Sequence, residues 1–291
     1  MNTEQIFREH QPLLFSLAYN MLGSVMDAED CVQETFLRWH RACGSNASEA
    51  IRSPRPYLCT IVTNLCIDHL RSARVERESY VGVWLPEPIL TTTPDERMEM
   101  AEILEVAFLR LLETLTPIER AVFLLRQVFD YEYSAIARMI GKSEQNCRQI
   151  VARARQHIAG RRPRYTVPSG QWERLVECFV QASSNGNVQE LLRLLAEDVV
   201  LCSDGGETRT PVSGAYKVAH LMVASALRLS MDDTEWCWQP AAINGRPGVV
   251  IYVSGRLYAV FAFECVDERI QEVDIIVNPE KLRHLKQSAR K

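Results

Sequence analysis

The chain has 291 residues, 47% of them hydrophobic and 24% charged, and a formal net charge of -4. At about 150 residues per domain, this length predicts two or three compact domains. No segment approaches the ~18 consecutive apolar residues of a membrane span, and residues 1–10 lack the layout of a secretory signal, so the expected location is the cytoplasm. The nine cysteines include no C-x-x-C pair, which predicts neither a disulfide framework nor a zinc site.

The first part of the chain, up to about Arg77, has the apolar spacing of α-helices. A first helix is predicted to end at Gly23, and a second is predicted for residues 28–41 with Asp27 as its N-cap. The outward side of this second helix is acidic and polar. It carries Glu29, Asp30, Gln33 and Glu34.

A third helix is predicted to start at Tyr57, after a loop over residues 44–56. Hydroxyl groups, an amide, an aromatic ring and several charges lie on or just before this helix: Arg55, Tyr57, Thr60, Thr63, Asn64, Asp68, Arg71 and Arg74. Such groups can stack on extruded bases, hydrogen-bond to them and neutralise the backbone of single-stranded nucleic acid. The alternative is a solvated helix face without a nucleic-acid partner.

Residues 80–95 are predicted to form an irregular linker because they include Pro86, Pro88 and Pro94. The same segment contains Trp84 and Leu85, two large apolar residues. They indicate either a chance apolar spot or a segment that docks on another part of the protein.

A helix is predicted to begin after Thr116. Thr116 is a favourable N-cap residue, and the proline that follows it suits the first helical position. Two further helices are predicted for residues 133–139 and 144–157, and the short turn between them gives the layout of a helix-turn-helix. The stretch from Arg138 to Arg164 is strongly basic although the whole chain is acidic, which suits a protein with two kinds of partner. A helix pair without a DNA partner is the alternative.

The predicted second helix of this motif starts at Ser143, and the start of such a helix enters the major groove. Ser143 and the residues that follow it on the outward side are predicted to approach base edges: Glu144, Gln145, Arg148 and Gln149. A second group of cations is predicted to hold phosphates: Arg153, Arg155, Arg161, Arg162 and Arg164.

From about residue 170 the chain has an α+β pattern. Two predicted helices, at residues 171–182 and 188–195, come with segments rich in Val and Ile. The predicted strands are Val199–Cys202, Trp236–Ile243, Gly248–Val253, Tyr258–Val266 and Ile270–Val277.

The sequence contains no nucleotide-binding, zinc-protease or nucleophile-elbow motif. Asp204 could act as a general base with His220 as a neighbour. However, Asp204-Gly205 is also a standard turn pair, which explains this stretch without a reaction. The sequence therefore predicts no catalytic residue, and the chain is not expected to be an enzyme.

Three motifs coincide in order and spacing. They are Asp27–Arg38, then Pro56–Leu58 with Asn64–Arg71, then Leu115–Arg120 with the helix-turn-helix. Together they make residues 1–162 resemble an extracytoplasmic-function (ECF) sigma factor. The resemblance implies two all-α sigma domains, domain 2 over residues 1–77 and domain 4 over residues 106–164, joined by a linker over residues 78–105.

The resemblance also implies partners and roles. One set of side chains would bind the clamp helices of the polymerase β′ subunit: Asp27, Glu29, Asp30, Gln33, Glu34 and Trp39. Residues 55–74 would melt and read the minus-ten promoter element, and residues 143–157 would read the minus-thirty-five element as duplex. The implied partners are core RNA polymerase, through its β′ and β subunits, and promoter DNA. No membrane, metal or cofactor is implied, because the polymerase carries out the nucleotide chemistry.

Residues 170–291 resemble the SnoaL-like fold, a cystatin-like α+β cone. Three segments are similar to those that mark sigma factors with a fused SnoaL-like domain: Trp84, Leu85, Pro86, Glu87 and Pro88 in the linker, Asp204, Gly205 and Gly206, and Asn278, Pro279, Glu280, Lys281 and Leu282. The resemblance implies that the fused domain modulates sigma activity in cis. A small ligand of this domain is a further expectation, with no identity assigned.

Two rival functions remain. The first is a DNA-binding regulator that works without polymerase, against which the acidic helix and the second DNA surface argue. The second is an isomerase-like or small-molecule-binding domain coupled to a DNA-binding regulator, which rests on analogy of fold. An enzyme of this kind would need a deep pocket that holds an acid with a raised pKa beside a hydrogen-bond donor.

Overall fold

The computed structural model describes residues 3–44, 53–78, 80, 82–91, 103–159, 169–205, 210–231 and 235–288. The chain divides into two compact units. The first comprises Met1–Ser79, Met98–Leu104 and Leu111–Arg161, and the second comprises Tyr80–Arg97, Glu105–Arg110 and Arg162–Lys291. No helix within the described residues has both the length and the apolar character that a membrane crossing requires.

The first unit is helical throughout its described part. Its helices are α1 (Thr3–Leu22), α2 (Val25–Gly44), α3 (Pro54–Glu78), α5 (Pro117–Gln127), α6 (Tyr133–Ile140) and α7 (Glu144–Ala159), and a short helix α4 (Val106–Leu112) precedes α5 in the chain. Apolar side chains at helical spacing are buried between α1, α2 and α3, among them Leu14, Leu17, Met21, Val32 and Leu58.

Two predicted helix starts are wrong. The cap of α2 is Ser24 rather than Asp27, because the Asp27 N–H donates to the Ser24 hydroxyl at 3.2 Å. Helix α3 begins at Pro54, three residues before the predicted start at Tyr57. Proline is tolerated in the first turn of a helix, where its missing N–H would have no partner.

The predicted cap of α5 is confirmed. Thr116 and Glu119 form a reciprocal capping box, with the Glu119 N–H donating to Thr116 Oγ1 at 3.3 Å and the Thr116 N–H donating to Glu119 Oε2 at 3.1 Å. The next residue, Arg120, is buried and joins α5 to the end of α1. Its guanidinium donates to the Met21 carbonyl at 2.6 Å and pairs with Glu113 at 2.6 Å.

The second unit is a seven-stranded sheet with helices, which confirms the predicted α+β class. In chain order the strands are β1 (Leu90–Thr91), β2 (Leu195–Asp204), β3 (Val212–Ser213), β4 (Trp236–Ile243), β5 (Arg246–Val253), β6 (Arg256–Val266) and β7 (Arg269–Ile276). The helices are α8 (Ser169–Ser184), α9 (Val188–Leu194), α10 (Ala215–Met231) and α11 (Arg283–Ser288). The strand order is β1-β4-β5-β6-β7-β2-β3, and β2 and β7 pair in parallel while the other neighbours are antiparallel.

Alternate residues of these strands point to opposite faces and build two separate cores. One face, which we call the helix face, packs on α8, α9 and α10 and buries Leu201, Val249, Phe263 and Val273 with Trp172, Phe179 and Met222. The other, which we call the linker face, buries Cys202, Val250, Val260 and Ile276 with Leu85, Val106, Leu282 and Leu285.

The predicted strands of the second unit all exist, within a few residues at their ends. Helix α10 was not predicted from the sequence. The predicted linker is irregular from Val83 to Ile89 and then forms β1, which pairs antiparallel with the edge of β4 through Leu90 opposite Ile243.

Candidate functional site

The outward side of α2 is an exposed acidic surface. Glu29, Asp30 and Gln33 are exposed, and Glu34 pairs with Arg38 one turn later at 2.8 Å. Asp27 is half-buried and lies 3.4 Å from the His69 ring on α3. Five of the six predicted polymerase-binding residues therefore lie along one accessible stretch of α2.

The sixth residue, Trp39, is placed differently. Only 3% of it is exposed, and its indole N–H donates to the Thr3 carbonyl at 3.0 Å. It follows Val32 and Thr35 at helical spacing on the buried side of α2. Its prediction as a surface contact is corrected, because the ring belongs to the core of the first unit.

The predicted minus-ten surface on α3 is only partly accessible. Arg55, Asn64 and Arg71 are exposed, Tyr57 is half-buried, and Thr60 is half-buried with its hydroxyl donating to the Pro56 carbonyl at 2.7 Å. Asp68 is exposed and accepts a bond of 3.3 Å from Arg71. Thr63 is fully buried, so its prediction as a DNA contact is corrected. The side chain of Arg74 lies outside the described residues.

Part of this α3 surface contacts the helix-turn-helix region of the same unit. The Tyr131 hydroxyl donates to the Cys59 sulfur at 3.2 Å, and the Arg55 guanidinium lies 5.8 Å from the centre of the Tyr131 ring. Asn64 donates to the Met139 carbonyl at 3.4 Å. Asn64 and Arg55 therefore already have partners within the unit.

The helix-turn-helix forms as predicted. Gly141 closes α6 with a φ of 67°, which only glycine adopts without cost. Ser143 caps α7, because its hydroxyl accepts the Asn146 N–H at 3.2 Å. One side of α7 is buried through Cys147, Ile150, Val151, Ala154 and Ile158.

The other side of α7 is exposed and polar. It presents Glu144, Gln145, Arg148, Gln149, Arg153 and Arg155. Arg148 donates to Glu144 at 3.1 Å and lies 5.1 Å from the centre of the Tyr133 ring, and Arg155 donates to Gln127 at 2.7 Å. Arg161, Arg162 and Arg164 lie outside the described residues.

In the second unit, Asp204 is the centre of a buried polar cluster. Its carboxylate is fully buried and accepts hydrogen bonds from the Tyr80 hydroxyl, from the Leu85 N–H at 2.8 Å and from the Lys281 ammonium at 2.5 Å. Lys281 also donates to the Leu85 carbonyl at 2.5 Å. We call Tyr80, Leu85, Asp204 and Lys281 the linker lock.

Contacts around the linker lock complete its geometry. Lys281 lies 4.2 Å from the centre of the Trp84 ring, and Asn278 donates to the Tyr80 hydroxyl at 2.9 Å. Burial, with the Asp204 hydrogen bond second, raises the pKa of Tyr80 to about 12, so its hydroxyl stays protonated. Gly205 has a φ of 84°, and a Cβ there would lie 2.6 Å from the Asn278 nitrogen, so this position needs glycine.

The three segments singled out in the sequence thus come together in one cluster. Pro86, Glu87 and Pro88 are buried, His284 bonds to the Pro88 carbonyl at 2.8 Å, and Leu282 joins the linker-face core. Pro279 is exposed in the turn before Lys281, and Gly206 lies outside the described residues. The Ile89 N–H of the linker donates to the side-chain carbonyl of Asn244 at 2.9 Å. Tyr80, Asn244 and His284 were missed, since single polar residues far apart in sequence carry no pattern that marks them as neighbours.

A second polar cluster occupies the linker face. Arg110 pairs with Asp274 at 2.7 Å and with Glu272 at 2.5 Å. Arg246 donates to Glu105 at 2.5 Å. Burial raises the pKa of Asp274 to about 7, and burial together with the neighbouring Glu105 raises the pKa of Glu264 to about 9. We call this group, Glu105, Arg110, Arg246, Glu264, Glu272 and Asp274, the charge network.

The helix face encloses a cavity of about 620 Å³. Its walls are mainly apolar and include Phe179, Leu201, Met222, Ile251 and Phe261. The described residues that line it include no Asp, Glu, His, Cys or Lys. Asp204 bonds within the linker lock, and His220 is exposed on α10 with its ring nitrogen 2.8 Å from the Tyr216 carbonyl, so no acid for an isomerase-like reaction is found among the described lining residues.

Comparisons with known proteins identify the family of the chain. The Sigma-70 region 2 family matches residues 6–76, and the Sigma-70 region 4 family matches residues 105–158. The chain is 31% identical over 284 residues to a probable ECF RNA polymerase sigma factor SigI of Mycobacterium tuberculosis, covering 96% of this chain and 94% of that protein. It is also 31% identical over 296 residues to the ECF RNA polymerase sigma factor SigJ of the same species. This match covers 95% of this chain and 91% of that protein.

The comparison of structures extends to the whole chain. The crystal structure of the extracytoplasmic function sigma factor SigJ of M. tuberculosis superposes with a TM-score of 0.76 at 28% identity, over 96% of this chain and 98% of that one. The chain belongs to the ECF sigma factor family. It is a transcription regulator that directs promoter-dependent initiation, with RNA polymerase and promoter DNA as partners and a fused α+β domain of SnoaL-like class.

Proposed function

We propose that this sigma factor acts in the cytoplasm, that it binds polymerase through α2 and that it reads the promoter through α3 and α7. The exposed acids Glu29 and Asp30, with exposed Gln33 and half-buried Glu34, would contact the β′ clamp helices, and the β subunit would contact domain 4. What supports this is the placement of the acids on one accessible side of a helix within the matched Sigma-70 region 2.

The promoter would be read in two places. Arg55, Tyr57, Asn64 and Arg71 would act at the minus-ten element as single-stranded DNA, because they supply an aromatic ring, an amide and cations. The exposed side of α7 would act at the minus-thirty-five element, with Arg148 near base edges and Arg153 at phosphates. The Ser143 cap and the apolar buried side support this because they fix which side of α7 faces outward.

We propose further that the C-terminal domain controls the sigma part in cis through the linker. The observation that carries this is the linker lock, because the Asp204 carboxylate accepts the Leu85 N–H and the Lys281 ammonium donates to the Leu85 carbonyl. In sequence, Leu85 lies between the two sigma regions. A held linker restricts the separation that the two DNA-binding regions can take, whereas a released linker leaves both to search independently.

This function is non-enzymatic. Asp204 uses its acceptor sites on Tyr80, Leu85 and Lys281, which is the arrangement of a structural anion rather than of a general base. The acids with raised pKa, Glu264 and Asp274, lie on the linker face, while the cavity lies on the helix face.

The experiment is transcription in vitro with core polymerase and the full chain on a promoter selected from genomic fragments. Lys281→Met removes the cation that holds Leu85, and Lys217→Met, an exposed lysine on α10, is the matched control. We expect Lys281→Met to change the amount of promoter-dependent transcript at least about threefold and Lys217→Met to leave it unchanged. Equal activity of folded Lys281→Met and wild type would contradict control through the linker, and no transcript from wild type would contradict the sigma function itself.

A further inference from the structure

Two cysteines of the first unit, Cys31 on α2 and Cys66 on α3, contact each other although they lie far apart in sequence. The Cys66 thiol forms a hydrogen bond with the Cys31 sulfur. Cys66 is fully buried, whereas 7% of Cys31 is exposed. We call these two residues the thiol pair. It lies at the edge of the core, and Cys31 is its accessible member.

The packing of α2 on α3 accounts for the position of the thiol pair. Asp27, at the start of α2, lies 3.4 Å from the His69 ring in the second half of α3. The ring of Trp39, late in α2, has its centre 6.0 Å from that of Tyr57, early in α3. The two helices are therefore antiparallel. The thiol pair lies about one helical turn from the contact between Asp27 and His69 on each helix, so this register places the two sulfur atoms opposite each other.

The two thiols differ in acidity. The hydrogen bond from Cys66 lowers the pKa of the Cys31 thiol in spite of burial, and the nearby His69 ring acts in the same direction. Burial raises the pKa of the Cys66 thiol well above its usual value. Because the thiolate is the nucleophilic form, Cys31 is the more reactive member and Cys66 is a neutral thiol beside it. A reactive thiol next to a second one is the arrangement in which an oxidised cysteine is resolved to a disulfide.

We propose that the thiol pair is a modification site at which a hydroperoxide oxidises Cys31 and Cys66 to an intramolecular disulfide. The Cys31 thiolate attacks the O–O bond and becomes a sulfenic acid, and the proton that Cys31 released goes to the hydroxide or alkoxide that leaves. The Cys66 thiol then attacks the sulfenic sulfur, so that the S–S bond forms and water leaves with the Cys66 proton. Each sulfur gives up one electron, and the two electrons reduce the peroxide. A hydroperoxide is small enough to reach a thiol that is only 7% exposed.

The disulfide joins the two helices to which polymerase binding and minus-ten reading are assigned above, so any effect on transcription rests on the proposed function. An S–S bond is about 2.05 Å long, which is shorter than a hydrogen bond between thiols. Oxidation therefore draws α2 and α3 together beside the exposed acids Glu29 and Asp30. We expect the oxidised chain to direct less transcription than the reduced chain.

The site itself is tested by mass spectrometry of the full chain. The reduced protein is treated with a small excess of hydrogen peroxide, the peroxide is removed with catalase, and the remaining thiols are blocked with N-ethylmaleimide under denaturing conditions. After digestion with trypsin we expect the peptide of Cys31 to be linked to the peptide of Cys66, and dithiothreitol to separate the two. Absence of this linked pair from the oxidised wild type would overturn the proposal.

Three variants test the order of the steps. Cys59→Ala, which removes another buried cysteine of α3, is the matched control and should form the disulfide within about twofold of the wild-type rate. In Cys66→Ala the sulfenic acid at Cys31 persists, and dimedone should trap at least about tenfold more of it than in wild type. In Cys31→Ala, Cys66 should stay unmodified because it is fully buried.

A dimedone adduct at Cys66 in Cys31→Ala, or none at Cys31 in Cys66→Ala, would overturn the assignment of Cys31 as the reactive thiol. Circular dichroism checks that each variant folds. If a variant of the thiol pair does not fold, the linked peptides of wild type and Cys59→Ala still decide whether the site exists.

Transcription in vitro tests the consequence. The sigma factor is oxidised and freed of peroxide before core polymerase is added. We expect at least about threefold less promoter-dependent transcript than from the reduced chain, recovery with dithiothreitol, and no response to peroxide in Cys31→Ala. Equal transcription by the oxidised and reduced chains would overturn the effect on transcription. No transcript from the reduced chain would contradict the proposed function alone, because the disulfide is measured without polymerase.

Discussion

The helix face and the linker face of the C-terminal sheet share four strands but bury different chemistry. The described buried polar residues of the helix face are serines, Ser183 and Ser203, and its core is otherwise apolar. The linker face buries Asp204, Glu264, Asp274 and Lys281 with their partners. The helix face is stabilised mainly by the burial of apolar side chains, whereas the linker face also depends on specific ion pairs and hydrogen bonds.

The difference shows that the two faces of one sheet can be stabilised in different ways. A face sealed by apolar area tolerates a change of contents, such as a ligand in a cavity. A face held by buried ion pairs is sensitive to the loss of a single partner, because the remaining charge then stays buried without compensation. We therefore expect the linker face to respond sharply to the loss of a single charged partner and to pH, and the stability contributed by the helix face not to depend on pH.

The largest effect is expected at the linker lock. Lys281→Met should lower the free energy of unfolding by about 3–5 kcal/mol, since the buried Asp204 side chain loses its ion-pair partner. Urea unfolding followed by circular dichroism measures the loss, and limited proteolysis within residues 80–91 measures release of the linker.

A double-mutant cycle is the control for this prediction. The combined Asp204→Asn and Lys281→Met variant should lose clearly less than the sum of the two single losses, because neither charge is then left alone. Additive losses, or a linker as resistant to protease in Lys281→Met as in wild type, would show that the two residues do not act as a pair.

The pH dependence of stability should come from the charge network. The pKa of Glu264 is raised from 4.5 to about 9 by burial and by Glu105, so the folded state holds a proton that the unfolded state releases. Its contribution to stability is complete below pH 4.5 and is lost as the pH rises toward 9. We expect stability to fall by up to about 1.4 kcal/mol per pH unit over this window.

Glu264→Gln should flatten that slope, because an amide occupies the same volume and does not titrate. Urea unfolding of wild type and variant at pH 5, 6, 7 and 8 gives the comparison. Glu268→Gln, in the exposed turn after β6, is the matched control and should keep the wild-type slope. A slope in Glu264→Gln as steep as in wild type would assign the pH dependence to other groups, of which Asp274 is the next, with a pKa raised to about 7.

A smaller effect is expected from glycines with positive φ. Gly255→Ala should cost about 1–2 kcal/mol from backbone strain alone, since no atom lies within 4 Å of the added Cβ. Gly205→Ala adds a clash with the Asn278 backbone and should cost more. Thermal unfolding of the two variants measures the difference. Equal losses of stability would mean that the Asn278 backbone can move away from the added Cβ at little cost.

The smallest effect on stability is expected for exposed cations, in contrast to buried Lys281. Arg148→Ala and Arg153→Ala on α7 should each change the free energy of unfolding by less than about 0.5 kcal/mol. In DNA binding they should differ, with Arg148→Ala costing about 1–3 kcal/mol at one base position and Arg153→Ala weakening all duplexes alike. Titrations with cognate and scrambled duplexes distinguish them, and identical behaviour would contradict the placement of α7 in the groove.

Sequence by itself determined the elements whose signals are local. The Thr116 cap predicted the start of α5, and two short helices joined by a tight turn at Gly141 predicted the helix-turn-helix, because each signal depends on residues within one or two turns. Segments rich in Val and Ile predicted the strands in the same way. Helix α10 was not predicted. It packs on both β2 and α8, so its apolar residues are spread over more than one side and the helical spacing is harder to recognise.

Tertiary structure alone decided which predicted side chains are accessible and which meet. Trp39 and Thr63 look like surface residues in a polar context, and only the packing of α1, α2 and α3 buries them. Asp204 and Lys281 are 77 residues apart, and Arg110 and Asp274 are 164 apart. Periodicity specifies which face of an element is buried, but the partner across that face depends on how distant segments pack, so no local pattern could identify these pairs.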